Sequence, residues 1–215
     1  PWLWLLAFGC GADRESMSPV YPSSVPAIEW LEPLEHAVRA SVAIRGIRPD
    51  IDELARVSAD PEAVDQLVVE WLQTAEFGLT MRDLHAESLL LRVDTDPQYP
   101  AVWDLEGVDI SQINASTTEA PLRLIEDIIL TDQPYTAILT ADYMMADDIM
   151  GRIFGVAHDP AGTQWQRSWW IDGRPPAGVL ASSQFYKRYP SNGSNYHRGR
   201  ANAITSIFLC DDIGN

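Results

Sequence analysis

Residues 44–91, IRGIRPDIDELARVSADPEAVDQLVVEWLQTAEFGLTMRDLHAESLLL, decide the fold, because they read as one compact helical unit. In their middle, Val64, Leu67, Val68, Trp71 and Leu72 fall at i, i+3, i+4, i+7 and i+8. That spacing is one apolar stripe on a 3.6-residue period. Asp60 suits the cap of this helix and Pro61 its first position, where a missing N–H costs nothing. Upstream, Asp50 with Glu53 three residues on forms a capping box for a shorter helix through Arg56. Downstream, Thr74 to Gly78 reads as a turn, and a third helix then carries Met81, Leu84, Ser88 and Leu91 on one face.

Working outward, Pro33 to Arg45 predicts a first helix whose inner face is Leu34, Ala37, Val38, Ser41 and Val42, with Gly46 closing it. His36 falls on its polar side. Residues 93–113 break the helical rhythm, and their carboxylates Asp94, Asp96, Asp104, Glu106 and Asp109 lack the ligand spacing of an EF-hand, so they read as an exposed acidic loop. Ser116 with Glu119 predicts a capping box opening a helix to Leu130, with Leu122, Ile125 and Ile129 inward. Residues 132–155 read as two short helices broken near Ala141–Asp142, and Met144, Met145 and Met150 read as gap-filling core. Trp165, Trp169 and Ile171 alternate with polar neighbours before Asp172–Gly173, a hairpin signal, and the tryptophans are expected to cover core. A last helix places Ala201, Ile204, Ile207 and Phe208 on one face. The fold class is therefore mainly α, an irregular multi-helix bundle with a small β-hairpin near residues 164–172.

The 215 residues carry a formal net charge of -16, which argues against nucleic acid as a partner, since phosphate backbones select basic patches. With 46% hydrophobic residues and 8 Trp the chain folds around a real core. The opening PWLWLLAFGC is an apolar run too short to span a bilayer, ending at a cysteine. It resembles the end of a bacterial lipoprotein signal, with Cys10 as the lipidated residue and the Ser/Pro-rich segment 16–26 as a tether. Unlipidated, Cys10 has one possible intrachain partner, Cys210, in an oxidising compartment. The expected divisions are 1–26 as signal remnant and tether, 27–92 as a helical unit, and 93–215 as a second helical unit, or one continuous body with the first.

Gly46, Pro49, Asp60-Pro61, Trp71-Leu72 and Phe77-Gly78, in that order, resemble a helical domain of unknown function from planctomycete and myxobacterial exported proteins. Ala75 stands where that family commonly has Pro. Farther on, Arg174, Ala177, Gly178, Val179, Leu180 and Phe185, then Arg198, Gly199, Arg200, Leu209 and Cys210, resemble a second domain of the same proteins. Those proteins carry planctomycete-type cytochrome c modules. The resemblance implies an exported, lipid-anchored, periplasmic or outer-membrane scaffold that is non-catalytic by itself and partners a redox module. No Cys-x-x-Cys-His occurs here, so covalent c-type haem is expected only in a region beyond Asn215.

No nucleophile elbow, phosphate-binding glycine loop or paired-histidine metal motif stands in the sequence. The densest polar constellation is His197, Arg198 and Arg200, with Arg174 and Lys187-Arg188 upstream, suited to an anionic group such as a haem propionate. His85, beside Leu84, is the histidine placed to meet an external haem. The other reading is a secreted polysaccharide-binding or polysaccharide-degrading module using the Trp-rich segment, since flat aromatic faces stack on sugar rings.

Overall fold

A computed structural model describes residues 30–92, 100–159, 165–189, 193–194 and 197–211. Cys10 as the expected lipidated residue, the tether, and Asp94 and Asp96 of the acidic loop lie outside the described residues. Four helices open the described chain: α1 (Pro33–Arg45), α2 (Ile51–Ala59), α3 (Ala63–Trp71) and α4 (Ala75–Ser88). Pro33 starts α1, and Gly46 ends it at φ 70°, its N–H donating to the Val42 carbonyl at 3.0 Å. The capping box on α2 is present in both directions, Glu53 N–H to Asp50 Oδ1 and Asp50 N–H to Glu53 Oε2, each 2.8 Å.

Glu53 also ties three helices together. Its Oε2 accepts from Arg45 Nη2 of α1 at 2.8 Å, and its Oε1 accepts from Trp71 Nε1 of α3 at 2.7 Å. The Arg45 guanidinium lies 4.6 Å from the Trp71 ring centroid and donates to Ser41 Oγ. Around this node Ala37, Val57, Val64, Leu67 and Trp71 form a core. The stripe expected on α3 is therefore the buried one, although the helix begins at Ala63: Pro61 and Glu62 form a turn in which Asp60 Oδ1 accepts the Glu62 N–H.

Two expected faces are rotated. On α1 the buried residues are Ala37, Ser41 and Arg45, while Leu34 and Val42 stand 44% and 45% exposed. Arg45 has to reach Glu53, and this turns the Leu34–Val38–Val42 side outward. On α4 the segment expected to be a turn is the first helical turn, with Thr74 Oγ1 accepting from Phe77 N–H. Its buried side carries Gly78, Arg82 and Ala86, whereas Leu84 and Ser88 face solvent. The cause is α5 (Ile110–Leu130), which lies so close that a Cβ on Gly78 would stand 2.6 Å from Glu126 Oε1 and 3.0 Å from Leu130 Cδ1. Arg82 pairs there with Glu119 at 2.9 Å and Glu126 at 3.2 Å, and Arg92 also reaches Glu119.

The long helix α5 starts under Asp109, whose carboxylate accepts from Ser111 N–H, not at the expected box of Ser116 and Glu119. Ser116 is instead interior and donates to Asp147 Oδ1 at 2.6 Å. Leu122, Ile125 and Ile128 are fully buried, and Ile129 packs at the margin of the same core. Helix α6 (Ala137–Thr140) is followed by strand β1 (Tyr143–Ala146), helix α7 (Asp148–Phe154) and strand β2 (Gln166–Trp169). The strands pair antiparallel, Tyr143 opposite Trp169 through Ala146 opposite Gln166. The fold is thus mainly α with a small two-stranded sheet, as the sequence predicts. The partner strand, however, is 143–146, from a segment expected to be helical, and the connection runs through α7. All four β1 residues are buried, so no alternation marks them as strand.

The β2 face is reversed as well. Ser168 is interior, Trp169 and Ile171 are 56% and 72% exposed, and Trp165 and Trp170 pack against the core. The three methionines at 144, 145 and 150 are buried core. Beyond, Gly178 sits at φ 51° with its Cα so close to α6 that a Cβ would overlap the Ile138 carbonyl oxygen at 1.9 Å, which only glycine avoids. Helix α8 (Ser183–Arg188) brings Phe185 into the main core, and α9 (Arg198–Ile204) continues as a π-turn through Leu209. Ile204, Ile207 and Phe208 pack on that core as expected, but Ala203, not Ala201, is the buried alanine. Among the described residues no helix is long and apolar enough to cross a membrane.

Burial alone would raise the Glu53 carboxyl, but hydrogen bonds from Arg45, Trp71 and the Asp50 backbone outweigh it and hold it below its ordinary 4.5. The unfolded chain then takes up the proton first, so the node's stabilisation is whole above pH 4.5 and fades as pH falls through the lowered value. Glu53→Gln is expected to cost about 2–3 kcal/mol at pH 7 in urea unfolding, with the gap to wild type closing in acid.

Candidate functional site

The residues singled out in the sequence occupy separate places and mostly serve the fold. Arg200 joins α9 to α8: its Nε donates to the Tyr189 carbonyl at 2.8 Å and its Nη2 to the Tyr186 carbonyl at 3.2 Å, with the guanidinium 5.0 Å from the Tyr186 ring. Arg174 lies 3.9 Å over the Trp170 ring and is held by Asp172, whose carboxyl those hydrogen bonds pull down to about 2. Burial lowers the ammonium pKa of Lys187, and Arg188 lies 5.6 Å from the Tyr189 ring. His197 and Arg198 are exposed at the start of α9. The cationic constellation is therefore a set of clamps around α8 with two exposed members, His197 and Arg198.

His85 uses both ring nitrogens within the protein. Nδ1 lies 2.7 Å from the Met81 carbonyl and so carries the proton, leaving Nε2 to accept from the Tyr135 hydroxyl, also at 2.7 Å. It links α4 to the turn after α5 instead of presenting a free ligand to haem. Among the described residues no group of three His, Cys, Asp or Glu side chains is placed to hold a metal ion. His36 is exposed, as its polar position implied. Cys210 is disulfide-bonded, and Cys10 is the one other cysteine in the chain.

Two surfaces were not legible beforehand. The first surrounds Tyr143, whose hydroxyl donates to Asp127 Oδ2 at 2.7 Å and accepts from Gln133 Nε2 at 3.0 Å. Arg167 donates to the same carboxylate at 2.9 Å, and the exposed Trp169 ring lies 6.3 Å from the Tyr143 ring. Burial first, then the Asp127 charge, raise the Tyr143 phenol, so it remains a neutral donor. The cluster takes one residue from each of several elements, and only the pairing of Tyr143 with Trp169 across the strands would have announced it. Chemically it is an aromatic platform rimmed by a guanidinium and a carboxylate.

The second is an open groove of about 560 Å³ between α1 and α2, floored by Leu34, Val38, Ile51 and Leu54 and rimmed by Glu35 and Arg48. It exists because α1 has more apolar surface than its neighbours cover. No family model matches this chain, and neither a curated protein nor a solved structure matches it.

Burial chiefly, opposed by the Met81 carbonyl contact, lowers the His85 pKa below 6.5. The unfolded histidine therefore protonates first: the stabilisation it gives is present above pH 6.5 and is lost as pH falls through the lowered value. Proton NMR titration should place the His85 ring below the ordinary histidine value of 6.5, and Tyr135→Phe should shift the His85 resonances without unfolding the chain.

Proposed function

We propose that this chain is an exported helical scaffold that binds and positions a cytochrome-type redox module and does not itself turn over a substrate. The observation that carries the reading is that its candidate reactive groups are used as struts: Arg200 on two backbone carbonyls, Arg174 on Asp172 and Trp170, His85 between Met81 and Tyr135. The resemblance to cytochrome-associated exported domains supplies the class of partner. Exposed Arg198 at the start of α9 is the cationic contact on offer to an anionic group such as a haem propionate. The disulfide at Cys210 supports export, because disulfides persist in oxidising compartments. A sulfur in a disulfide cannot also carry a thioether-linked lipid. A lipid anchor at Cys10 therefore requires Cys210 to bond to a cysteine outside these 215 residues.

A second reading, polysaccharide binding, is favoured by one observation: Trp169 is 56% exposed beside Arg167, Asp127 and Tyr143. The two separate in one pair of titrations. Adding a soluble c-type cytochrome should give saturable binding that Arg198→Glu weakens, whereas a panel of glycans should leave tryptophan fluorescence unchanged. Saturable quenching by a glycan, lost in Trp169→Ala, would replace the scaffold reading with the sugar one. Under non-reducing conditions Cys210 should resist alkylation, and an intact mass without added lipid would assign its bond to Cys10.

A further inference from the structure

The sequence marks one apolar arc on α1, and the fold uses only part of it. Ala37, Ser41 and Arg45 turn inward, leaving Leu34 and Val38 to form one wall of the groove whose other wall is Ile51 and Leu54 of α2. Ile51 is 79% exposed, and Trp30 and Ile47, in the segments on either side of α1, stand exposed as well. Exposed apolar side chains gathered about a groove on a strongly acidic chain mark an interface.

The charges on its rim say what fits. Glu35 lies in the first turn of α1 and Arg48 beyond its last, so about 15 Å of helix separates the two ends. Arg48 has no ion-pair or hydrogen-bond partner among the described residues, in a chain with 31 carboxylates. Glu35 makes only a long contact of 3.5 Å with Arg39, both largely exposed. A groove bearing an anion at one end and a free cation at the other is complementary to its own image turned by half a revolution. In a two-fold interface residue i meets residue j and j meets i, so the two Glu35–Arg48 pairs form together.

We propose that the α1–α2 groove is the interface of a symmetric homodimer. A second copy lays Leu34 and Val38 against Ile51 and Leu54 of the first, and Glu35 of each chain pairs with Arg48 of the other. The opposing force is repulsion between two chains of charge -16, which is screened beyond about 8 Å at physiological salt. Apolar contact at the centre is insensitive to that charge. A standard interface covers about 800 Å² per partner, more than the groove alone, so a stable dimer draws in apolar surface around it. This pairing is independent of which redox or sugar ligand the rest of the surface binds.

The test is sedimentation equilibrium of the full chain at physiological salt. Wild type should show a concentration-dependent dimer, and Ile51→Glu should be monomeric with an unchanged circular-dichroism spectrum, since the side chain is exposed. Arg48→Glu should weaken the dimer about tenfold or more, and adding Glu35→Arg to it should restore the affinity. A wild-type monomer overturns the proposal, whether the groove is then taken by another segment of the chain or by a different protein. A dimer that survives Ile51→Glu, or a charge exchange that fails to restore affinity, overturns it equally.

Discussion

The contact between α4 and α5 is ionic where most helix pairs are oily, and the arrangement of everything else follows from it. Arg82 is 11% exposed and faces Glu119 and Glu126, which are 23% and 14% exposed. Arg123 and Arg92 supply the countercharges those glutamates would otherwise lack. Desolvating so many charges is costly, and close ion pairs have to offset it, the more so because Arg82 Nε and Arg123 Nε have no hydrogen-bond partner. The carboxylates must therefore reach Arg82 over a short distance, and Gly78 permits that by removing the one Cβ that would stand in the way. Losing Arg82, the one cation shared by both glutamates, would be the costliest change, at about 3–5 kcal/mol. The geometry of α4 is fixed by this network more than by its apolar residues.

That explains which parts of the fold could be read from sequence. The α2 capping box, the Gly46 terminus of α1 and the Val64–Leu67–Trp71 stripe rest on contacts within a few residues, and each lies where the pattern put it. The misread faces of α1 and α4 are those where an arginine, not an aliphatic residue, points inward, so apolar periodicity named the wrong side. Strand β1 failed for a different reason. A strand buried on both faces has no alternation to see, and its partner lies more than twenty residues on, across a helix. Helix α5 began early because Asp109, read as part of an acidic loop, caps it, while the capping-box pair Ser116 and Glu119 was committed to Asp147 and to two arginines.

For the surface chemistry the residue types were legible and their roles were not. Arg200 and His85 stood out as polar groups beside apolar ones, which is also what an interhelical strut looks like. A strut and a ligand differ only in whether the other end of the hydrogen bond is inside the protein, and that other end, Tyr189 or Tyr135, lies many positions away. The Tyr143–Asp127–Arg167 cluster and the α1–α2 groove needed tertiary knowledge of the same kind. The groove in particular appears only after part of the α1 apolar arc has been assigned inward and the remainder is seen to have no neighbour.

Cations are scarce in this chain, 15 against 31 carboxylates, and nearly all are arginine. Scarcity gives their placement meaning. A lysine tolerates burial by giving up its proton, whereas arginine keeps its charge and brings five donors in a fixed fork, so it can organise several acceptors at once. Arg82 gathers two carboxylates of α5, and Arg45, Arg167 and Arg174 gather carboxylates, carbonyls or aromatic rings from two or more places in the chain. Most described arginines hold an ion pair, a carbonyl or a ring, whereas Arg48, like the exposed Arg198, holds none. The nearest carboxylate in sequence, Asp50, is taken up by the α2 capping box, and the groove walls beside Arg48 are aliphatic. A guanidinium at the rim of an apolar groove, with the nearest carboxylate in sequence already engaged, is suited to one that a partner supplies.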